Sequence, residues 1–268
     1  MDGRDWGKFL IPYEQAVEEL KVKFKSIRVE FKKREEYSPI EFVTGRVKRV
    51  SSILEKAKRL NVPMEKLEEG IEDIAGIRIM CQFVEDIEQM AALIRERKDM
   101  KVRYEKDYIK NYKASGYRSY HIIVEYMVQT ALGMKPILAE IQLRTLSMNF
   151  WATIEHSLSY KFRGDLPAEV RARLQNAAEA AFKLDEEMSQ IRDDVVAAQK
   201  LFEDRSSLVN QMLNHIQQLY FYNRAKEAQA FQQQFTELWG SDDDPWRLQE
   251  LSERIESVLE TARREKDS

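Results

Sequence analysis

The 268-residue sequence contains a single cysteine, Cys81, and only three histidines. One cysteine excludes a disulfide within the chain, and the histidines are too scattered for the usual ligand spacing of zinc. Disulfide-free chains are typical of a reducing compartment. We therefore expect a cytoplasmic protein with neither a disulfide nor structural zinc.

Glycine and proline are also scarce, with nine and six residues, so few positions interrupt a helix and the composition predicts a helix-rich fold. The longest stretch without a charge, 206–223, contains Asn, Gln and His, and charges begin at Asp2. We therefore expect no membrane span and no signal peptide.

A large excess of one charge is absent as well, because the sequence has 43 basic and 46 acidic residues, for a net charge of −3. This balance argues against a uniformly basic surface that coats nucleic acid, so any anion site must be a local cluster. The P-loop, the dinucleotide fingerprint, the zincin motif and the esterase elbow are all missing. With 43% apolar residues, the chain is nevertheless typical of a soluble globular protein.

Hydrophobic periodicity predicts an α+β fold, a mixed sheet flanked by helices. The predicted helices cover about 12–34, 46–60, 87–97, 146 onward and 168–202, with a break near Gly164 and Pro167. The predicted strands cover 74–83, 102–109, 120–128 and 137–144. A short connection through Gly133 joins the last two strands as an antiparallel hairpin.

The segment 204–268 has a different character, rich in Gln and Asn, with amphipathic spacing and a predicted helix end at Gly240. A restart follows at Asp244 and Pro245, an acidic cap before a proline in the first turn. We interpret 1–203 as one domain and 204–268 as an appended helical extension.

Basic residues cluster between positions 46 and 59. A helix over this segment places four polar residues in an arc roughly 80° wide: Lys48, Ser52, Lys56 and Arg59. Nucleotide phosphates need several converging cations without carboxylates between them, and only Glu55 interrupts. The alternative is a solvated lysine face.

Two carboxylates lie at predicted strands. Asp73 precedes one strand, and Glu140 shares the polar face of another with Gln142 and Arg144. Carboxylates on neighbouring strands can hold Mg²⁺ against a bound triphosphate. For Asp73 alone, a role in a cap or a turn is the simpler explanation.

Two further groups could line the same cavity. The loop from Lys113 to His121 contains Gly116 beside Tyr117, a ring that could stack on a base, although the same pattern suits a surface loop. Asn149 and His156 share one face of the following helix, where a satisfied core histidine is the alternative.

The order of four motifs resembles the synthetase domain of the RelA/SpoT homologue superfamily. These motifs are GRVK at 45–48, DIAGIR at 73–78, GYRSYH at 116–121 and EIQLRT at 140–145. The segments FLIPY at 9–13, EELKVK at 18–23 and NFWATIEH at 149–156 resemble the small alarmone synthetases of Gram-positive bacteria, RelQ type. The resemblance spans about residues 5 to 203 in unbroken order.

This resemblance implies a nucleotidyltransferase-like fold and a stringent-response enzyme that transfers the β,γ-pyrophosphate of ATP to the 3′-hydroxyl of GDP or GTP and releases AMP. It implies that Asp73 binds Mg²⁺ and that Glu140 supports the metal and acts as general base. The implied ATP ligands are Arg46, Lys48, Ser52, Lys56, Arg59 and Arg78. The implied acceptor ligands are Lys113, Tyr117, His121, Gln142, Asn149 and His156.

The RelQ-type resemblance also implies a homotetramer whose central cleft binds the product, (p)ppGpp, as an activator, and single-stranded RNA has been associated with that branch. We expect the allosteric alarmone site at Lys21, Lys25, Arg28, Phe42 and Thr44, against the alternative of a solvated helix face. No histidine is followed by aspartate, so we expect synthesis without hydrolysis. The extension puts the tetramer in question, and a catalytically silent nucleotide- or RNA-binding regulator is the alternative function.

Overall fold

The computed structural model describes residues 5–131, 133–161, 166–240 and 245–266. The chain forms two compact units, one ending at Gln190 and one beginning at Ile191. The predicted break at Gly164 and the predicted cap at Asp244 lie outside the described residues.

The first unit is built on a five-stranded mixed sheet. Its strands are β1 Phe42–Val47, β2 Ala75–Cys81, β3 Met100–Asp107, β4 Tyr120–Thr130 and β5 Gly133–Thr145. They are ordered β1-β2-β5-β4-β3, with β2 and β5 parallel and the other pairs antiparallel. The predicted α+β class and the β4–β5 hairpin are confirmed.

Helices cover the sheet. The first unit contains α1 Trp6–Lys33, α2 Val50–Leu60, α3 Leu67–Gly70, α4 Val84–Glu96 and α5 Leu146–Lys161, and α6 Ala168–Phe221 crosses the division. Apolar residues of α1, among them Val17, Leu20 and Phe24, are buried in the same core as Ile77 of β2 and Ile141 of β5. The opposite faces of these strands carry the polar residues described below.

Three predicted boundaries were wrong. Helix α1 begins at Trp6, where the Asp5 side chain caps it, and continues through Pro12. The segment at 46 is the end of strand β1, and α2 starts only at Val50. The long helix continues past 202 to Phe221, because the apolar periodicity resumes at Leu208 and Met212 without a proline or glycine between.

The second unit consists of the end of α6 with α7 Ala225–Gly240 and α8 Pro245–Lys266. Its own core contains Met212, Ile216, Phe231, Leu251 and Ile255. The predicted helical extension is confirmed, and its role as a separate domain from 204 onward stays a prediction. No helix among the described residues has the length and apolarity needed to span a membrane.

Candidate active site

The polar face of β5 is the centre of the candidate site. Strand alternation buries Ala139, Ile141 and Leu143 on one face and leaves Glu140 and Gln142 half-buried on the other. In the register, Gln142 pairs with Arg78 of β2 and with His121 of β4. Three strands therefore bring their polar side chains to one surface of the sheet.

Asp73, just before β2, is held by two lysines. Its Oδ2 lies 2.7 Å from the Lys48 Nζ, and its Oδ1 lies 2.9 Å from the Lys56 Nζ. Burial alone would raise the pKa of Asp73, but the hydrogen bonds and charges of these lysines outweigh it and lower the pKa below its ordinary value. The carboxylate is thus ionised at neutral pH and compensated by two ammonium groups.

Both carboxylate oxygens of Glu140 have side-chain hydrogen-bond partners. The His121 Nδ1 lies 2.9 Å from Oε1, and the Gln142 Nε2 donates to Oε2 at 2.7 Å. Burial raises the pKa of Glu140, yet the His121 and Gln142 hydrogen bonds, with the charge of Lys56, bring it to about 2. Glu140 is therefore an ionised, oriented carboxylate inside the site.

A chain of hydrogen bonds continues from Glu140 to Arg144. The Tyr117 hydroxyl lies 2.9 Å from the His121 Nε2, and the Arg144 Nη2 donates to that hydroxyl at 2.6 Å. Arg144 donates to Tyr117, and the two ring nitrogens of His121 join Tyr117 to Glu140, with the tautomer of His121 setting which nitrogen donates. The Lys113 Nζ lies 4.8 Å from the centre of the Tyr117 ring.

Two cavities adjoin these residues. One of about 230 Å³ contains Asp73 and Glu140 in its lining. The other, of about 690 Å³, has six basic residues and one carboxylate, that of Glu155, among the described residues that line it. The basic residues are Arg46, Lys48, Arg59, Arg78, Lys113 and Arg144. Burial and the neighbouring charges of Arg144 and Arg46 lower the pKa of Arg78, as expected where cations converge without a bound anion.

Most of the residues predicted for nucleotide binding meet at these cavities. Tyr117, Gln142 and His156 line the larger cavity, while His121 lies behind it, buried against Tyr117. In the part of the chain that the structure describes, Ser52, Lys56 and Asn149 are not among the residues that line the two cavities. Lys56 nevertheless contacts Asp73, which lines the smaller one.

The single basic helical stripe was the wrong geometry. Arg46 lies in β1 and Lys48 in the connection to α2, so only Ser52, Lys56 and Arg59 are on the helix. Lys48 and Lys56 nevertheless converge, because the connection turns α2 back over Asp73. The cations gather through tertiary structure and not through helical periodicity.

The predicted allosteric residues are less uniform. Lys25 and Arg28 are exposed on α1, and Arg28 approaches Glu41 at 3.8 Å. Lys21 donates to Glu18. Phe42 is exposed on the edge strand β1, whereas Thr44 lines the 230 Å³ cavity. The structure therefore places Thr44 nearer to the candidate active site than the sequence suggested.

Two buried polar residues behind the site were not predicted. Arg118 and Asp185 are 6% and 5% exposed; the carboxylate partner of Arg118 lies 61 residues away in sequence, and the hydroxyl partners of Asp185 lie 38 and 40 residues away. Contacts across such separations leave no local periodic signal. Within 5–131, 133–161, 166–240 and 245–266, no group of three or more His, Cys, Asp or Glu side chains could hold a metal ion.

A cavity lined by six basic residues, beside two ionised carboxylates on a mixed sheet flanked by helices, has the chemistry of a nucleotide-phosphate site. Comparison with known proteins identifies the family. Residues 45–165 match the family model described as a region found in RelA/SpoT proteins. Over 202 residues the chain is 57% identical to GTP pyrophosphokinase YjbM of Bacillus subtilis strain 168, a match covering 75% of this chain and 95% of that protein.

The fold is similar to crystal structures of small alarmone synthetase 1 from Bacillus subtilis. The structure bound to its product pppGpp is 58% identical with a TM-score of 0.69, covering 71% of this chain and 97% of that one. The structure bound to AMPCPP is 54% identical with a TM-score of 0.64, covering 72% and 98%. This chain belongs to the RelA/SpoT family, which confirms the resemblance found in the sequence.

Proposed function

We propose that this protein is a (p)ppGpp synthetase that transfers the β,γ-pyrophosphoryl group of ATP to the 3′-hydroxyl of GDP or GTP and releases AMP. The observation that carries the proposal is the pair Asp73 and Glu140 in one small cavity, which shares Arg46, Lys48, Arg78 and Gln142 with the larger basic cavity. The relatives named as GTP pyrophosphokinases, and the small alarmone synthetase bound to pppGpp and to AMPCPP, support it.

The basic groups form the ATP side of the site. Lys48, Lys56 and Arg59 bind the phosphates, with Ser52 at the start of the same helix, while Arg46 and Arg78 enclose the adenine. Lys48 and Lys56 form ion pairs with Asp73, so their ammonium groups are held beside the carboxylate at which the metal-bound triphosphate would lie. A bound anion would favour the charged form of Arg78, because its guanidinium lies near Arg46 and Arg144.

Asp73 is suited to bind Mg²⁺ directly, and Glu140, whose oxygens already have His121 and Gln142 as partners, supports the ion from the same cavity. Mg²⁺ is bound in such sites by one or two carboxylates together with substrate phosphates, so a pair of carboxylates in one cavity is sufficient. When bound, the ion would neutralise charge on the transferred group. Asp73 has ammonium partners that can move to phosphate oxygens when a metal ion takes their place.

Glu140 receives the proton of the acceptor hydroxyl. The 3′-oxygen forms a bond to the β-phosphorus of ATP, the bond from that phosphorus to the bridging oxygen of AMP breaks, and the proton passes to Glu140. Tyr117 stacks on the guanine, and Lys113, His121, Gln142, Asn149 and His156 complete the acceptor site. The His121 and Gln142 hydrogen bonds fix the direction of the Glu140 carboxylate before the acceptor arrives.

Product analysis tests this proposal. Purified protein is mixed with Mg²⁺, ATP and GDP or GTP, and the nucleotides are separated by anion exchange. We expect AMP to appear one-for-one with a guanosine nucleotide carrying two additional phosphates. Absence of AMP, with nucleotide or RNA still bound, would favour the silent regulator.

The enzyme synthesises alarmone without degrading it. None of His121, His156 and His215 is followed by aspartate, the pair around which the hydrolase domains of the long bifunctional relatives are built. Incubation with purified ppGpp and a divalent metal is expected to leave it intact. Release of GDP and pyrophosphate would contradict this part of the proposal.

The protein acts in the cytoplasm, in the stringent response, as a homotetramer activated by (p)ppGpp bound at Lys21, Lys25, Arg28, Phe42 and Thr44. An exposed apolar stripe on α5, formed by Leu146, Phe150, Ile154 and Leu158, supports contact with a second copy. Light scattering of Phe150→Glu is expected to show a smaller particle than the parent protein.

Single-stranded RNA is a further ligand of the protein, and competition between RNA and (p)ppGpp for binding tests this part of the proposal.

A further inference from the structure

The loop that joins β3 to β4 carries Lys113 and Tyr117, and it is docked on α6. Its turn is closed by a hydrogen bond from the Gly116 nitrogen to the Lys113 carbonyl at 2.8 Å. Gly116 has a φ of +88°, and a Cβ added there would lie 2.5 Å from the Ala178 Cβ. The loop therefore touches the helix so closely that only glycine fits.

Arg118 joins this loop to α6. Its guanidinium is stacked between the rings of Tyr112 and Phe182, 4.4 Å from each ring centre. Its Nη2 donates to Glu179 at 2.8 Å, and its Nη1 approaches the Gly116 carbonyl at 3.5 Å. The Arg118 side chain is 6% exposed, so its charged group is buried where the loop packs on α6.

We propose that Arg118 is a positioning residue for the acceptor site, acting through the loop and not by touching substrate. This role rests on the function proposed above. The planar guanidinium offers two faces for rings and a fork of donors, which a lysine does not. Arg118 thereby holds residues 116–118, the segment that contains Tyr117, against α6.

The position of Tyr117 matters for the acceptor site, because its hydroxyl belongs to the series of hydrogen bonds that leads through His121 to Glu140. If the loop were released from α6, Tyr117, which stacks on the guanine, and Lys113 would no longer be held in position. The ATP-side residues lie in β1, α2 and β2 or in the connections before α2 and β2, whereas the partners of Arg118 named here lie in the loop and α6. Loss of Arg118 should thus weaken acceptor binding selectively.

The test compares Arg118→Met and Arg118→Lys with the matched control Arg97→Met. Arg97 also lies over a ring, 5.8 Å from that of Phe24, and pairs with an aspartate, Asp99, but it contacts none of the acceptor residues named here. For Arg118→Met we expect the KM for the acceptor to rise about tenfold and the KM for ATP to change by less than about twofold. Arg118→Lys should recover only part of the loss, and the Arg97 variant should leave both constants within about twofold.

A second variant protects the test against misfolding. Glu179 is 51% exposed, so Glu179→Ala removes one partner of Arg118 at the surface of α6. We expect a rise of about twofold to threefold in the acceptor KM, with unfolding close to that of the parent protein. Hydrogen exchange of the peptide covering 109–117 should accelerate in both variants.

The outcomes separate this inference from the proposed function. If the parent protein makes no alarmone, the proposed function fails, and hydrogen exchange alone decides whether Arg118 orders the loop. Unchanged exchange in Arg118→Met, or an equal rise in both KM values, would overturn the positioning role. Faster exchange with a selective acceptor effect supports it.

Discussion

Three buried carboxylates of the first unit differ in what surrounds them. Asp73 and Glu140 face the cavities, and their pKa values are lowered despite burial, by lysines in one case and chiefly by His121 and Gln142 in the other. Asp185 on α6 accepts hydrogen bonds from Thr145 and Ser147 only, so burial dominates and raises its pKa. Hydroxyl groups compensate a buried charge less than ammonium groups do.

The comparison separates two carboxylates that face the cavities from one that joins structural elements. Asp73 and Glu140 are ionised at neutral pH, as the roles proposed for them, metal ligand and proton acceptor, require. Asp185 ties α6 to the junction of β5 and α5. Asp73 and Glu140 also differ from each other, because the partners of Asp73 are two lysines that a triphosphate can attract away, while His121 and Gln142 orient the carboxylate of Glu140.

The largest expected effect follows from Glu140→Gln. The amide cannot accept the proton of the acceptor hydroxyl, so we expect kcat to fall by about 10³-fold. Anion-exchange analysis of AMP formation measures the rate. Glu68→Gln, which changes a half-exposed glutamate paired with Lys135, is the control and should retain activity. A fall of less than tenfold for Glu140→Gln would contradict the base assignment.

The acid stability of the same variant gives the next effect. The pKa of Glu140 falls from an ordinary 4.5 to about 2 in the folded protein, so ionised Glu140 contributes stability that is present above about 4.5 and is lost as the pH falls towards 2. This contribution is about 3 kcal/mol at neutral pH. Urea unfolding between pH 5 and 2.5 should show a shallower loss for Glu140→Gln. Parallel curves for the two proteins would argue that His121 and Gln142 do not stabilise the charge.

Replacing either lysine partner of Asp73 should weaken ATP binding, an effect smaller than the loss of kcat expected for Glu140→Gln. Lys48→Met or Lys56→Met removes a phosphate ligand and one compensating charge, so we expect the KM for ATP to rise by about 10-fold to 100-fold. Lys58→Met, on the exposed part of the same helix, is the matched control. Equal KM values for Lys56→Met and Lys58→Met would mean that α2 is a solvated lysine face.

The smallest effect is expected for Asp185→Asn. Because the folded pKa of Asp185 is raised, ionisation costs stability, and the cost appears as the pH rises through that pKa. Both hydroxyls donate to a single oxygen, so an asparagine oxygen can replace it without the charge. Thermal unfolding at pH 7 should show unchanged or slightly higher stability, by about 1 kcal/mol at most. A loss above 2 kcal/mol would show that the charge itself is needed.

The sequence predicted the polar face of β5, because alternation over eight residues is a strong signal for a strand buried on one side. It did not predict β1, a six-residue edge strand, and began a helix at 46 instead. That error placed Arg46 and Lys48 on a helix. Asp73 was open to a capping role until the fold brought Lys48 and Lys56 to it. Arg118 had no local signal, since Glu179 and Phe182 are more than sixty residues away.

Asp73 and Glu140 line one cavity, and we propose that they perform different tasks there. Calorimetric titration of ATP with Mg²⁺ into Asp73→Asn and Glu140→Gln tests it directly, because both variants should lose synthesis. We expect affinity for the metal–nucleotide complex to fall at least tenfold in Asp73→Asn and to change by less than about threefold in Glu140→Gln. An equal loss of affinity in both variants would contradict the division of tasks and leave Glu140 as a nucleotide ligand.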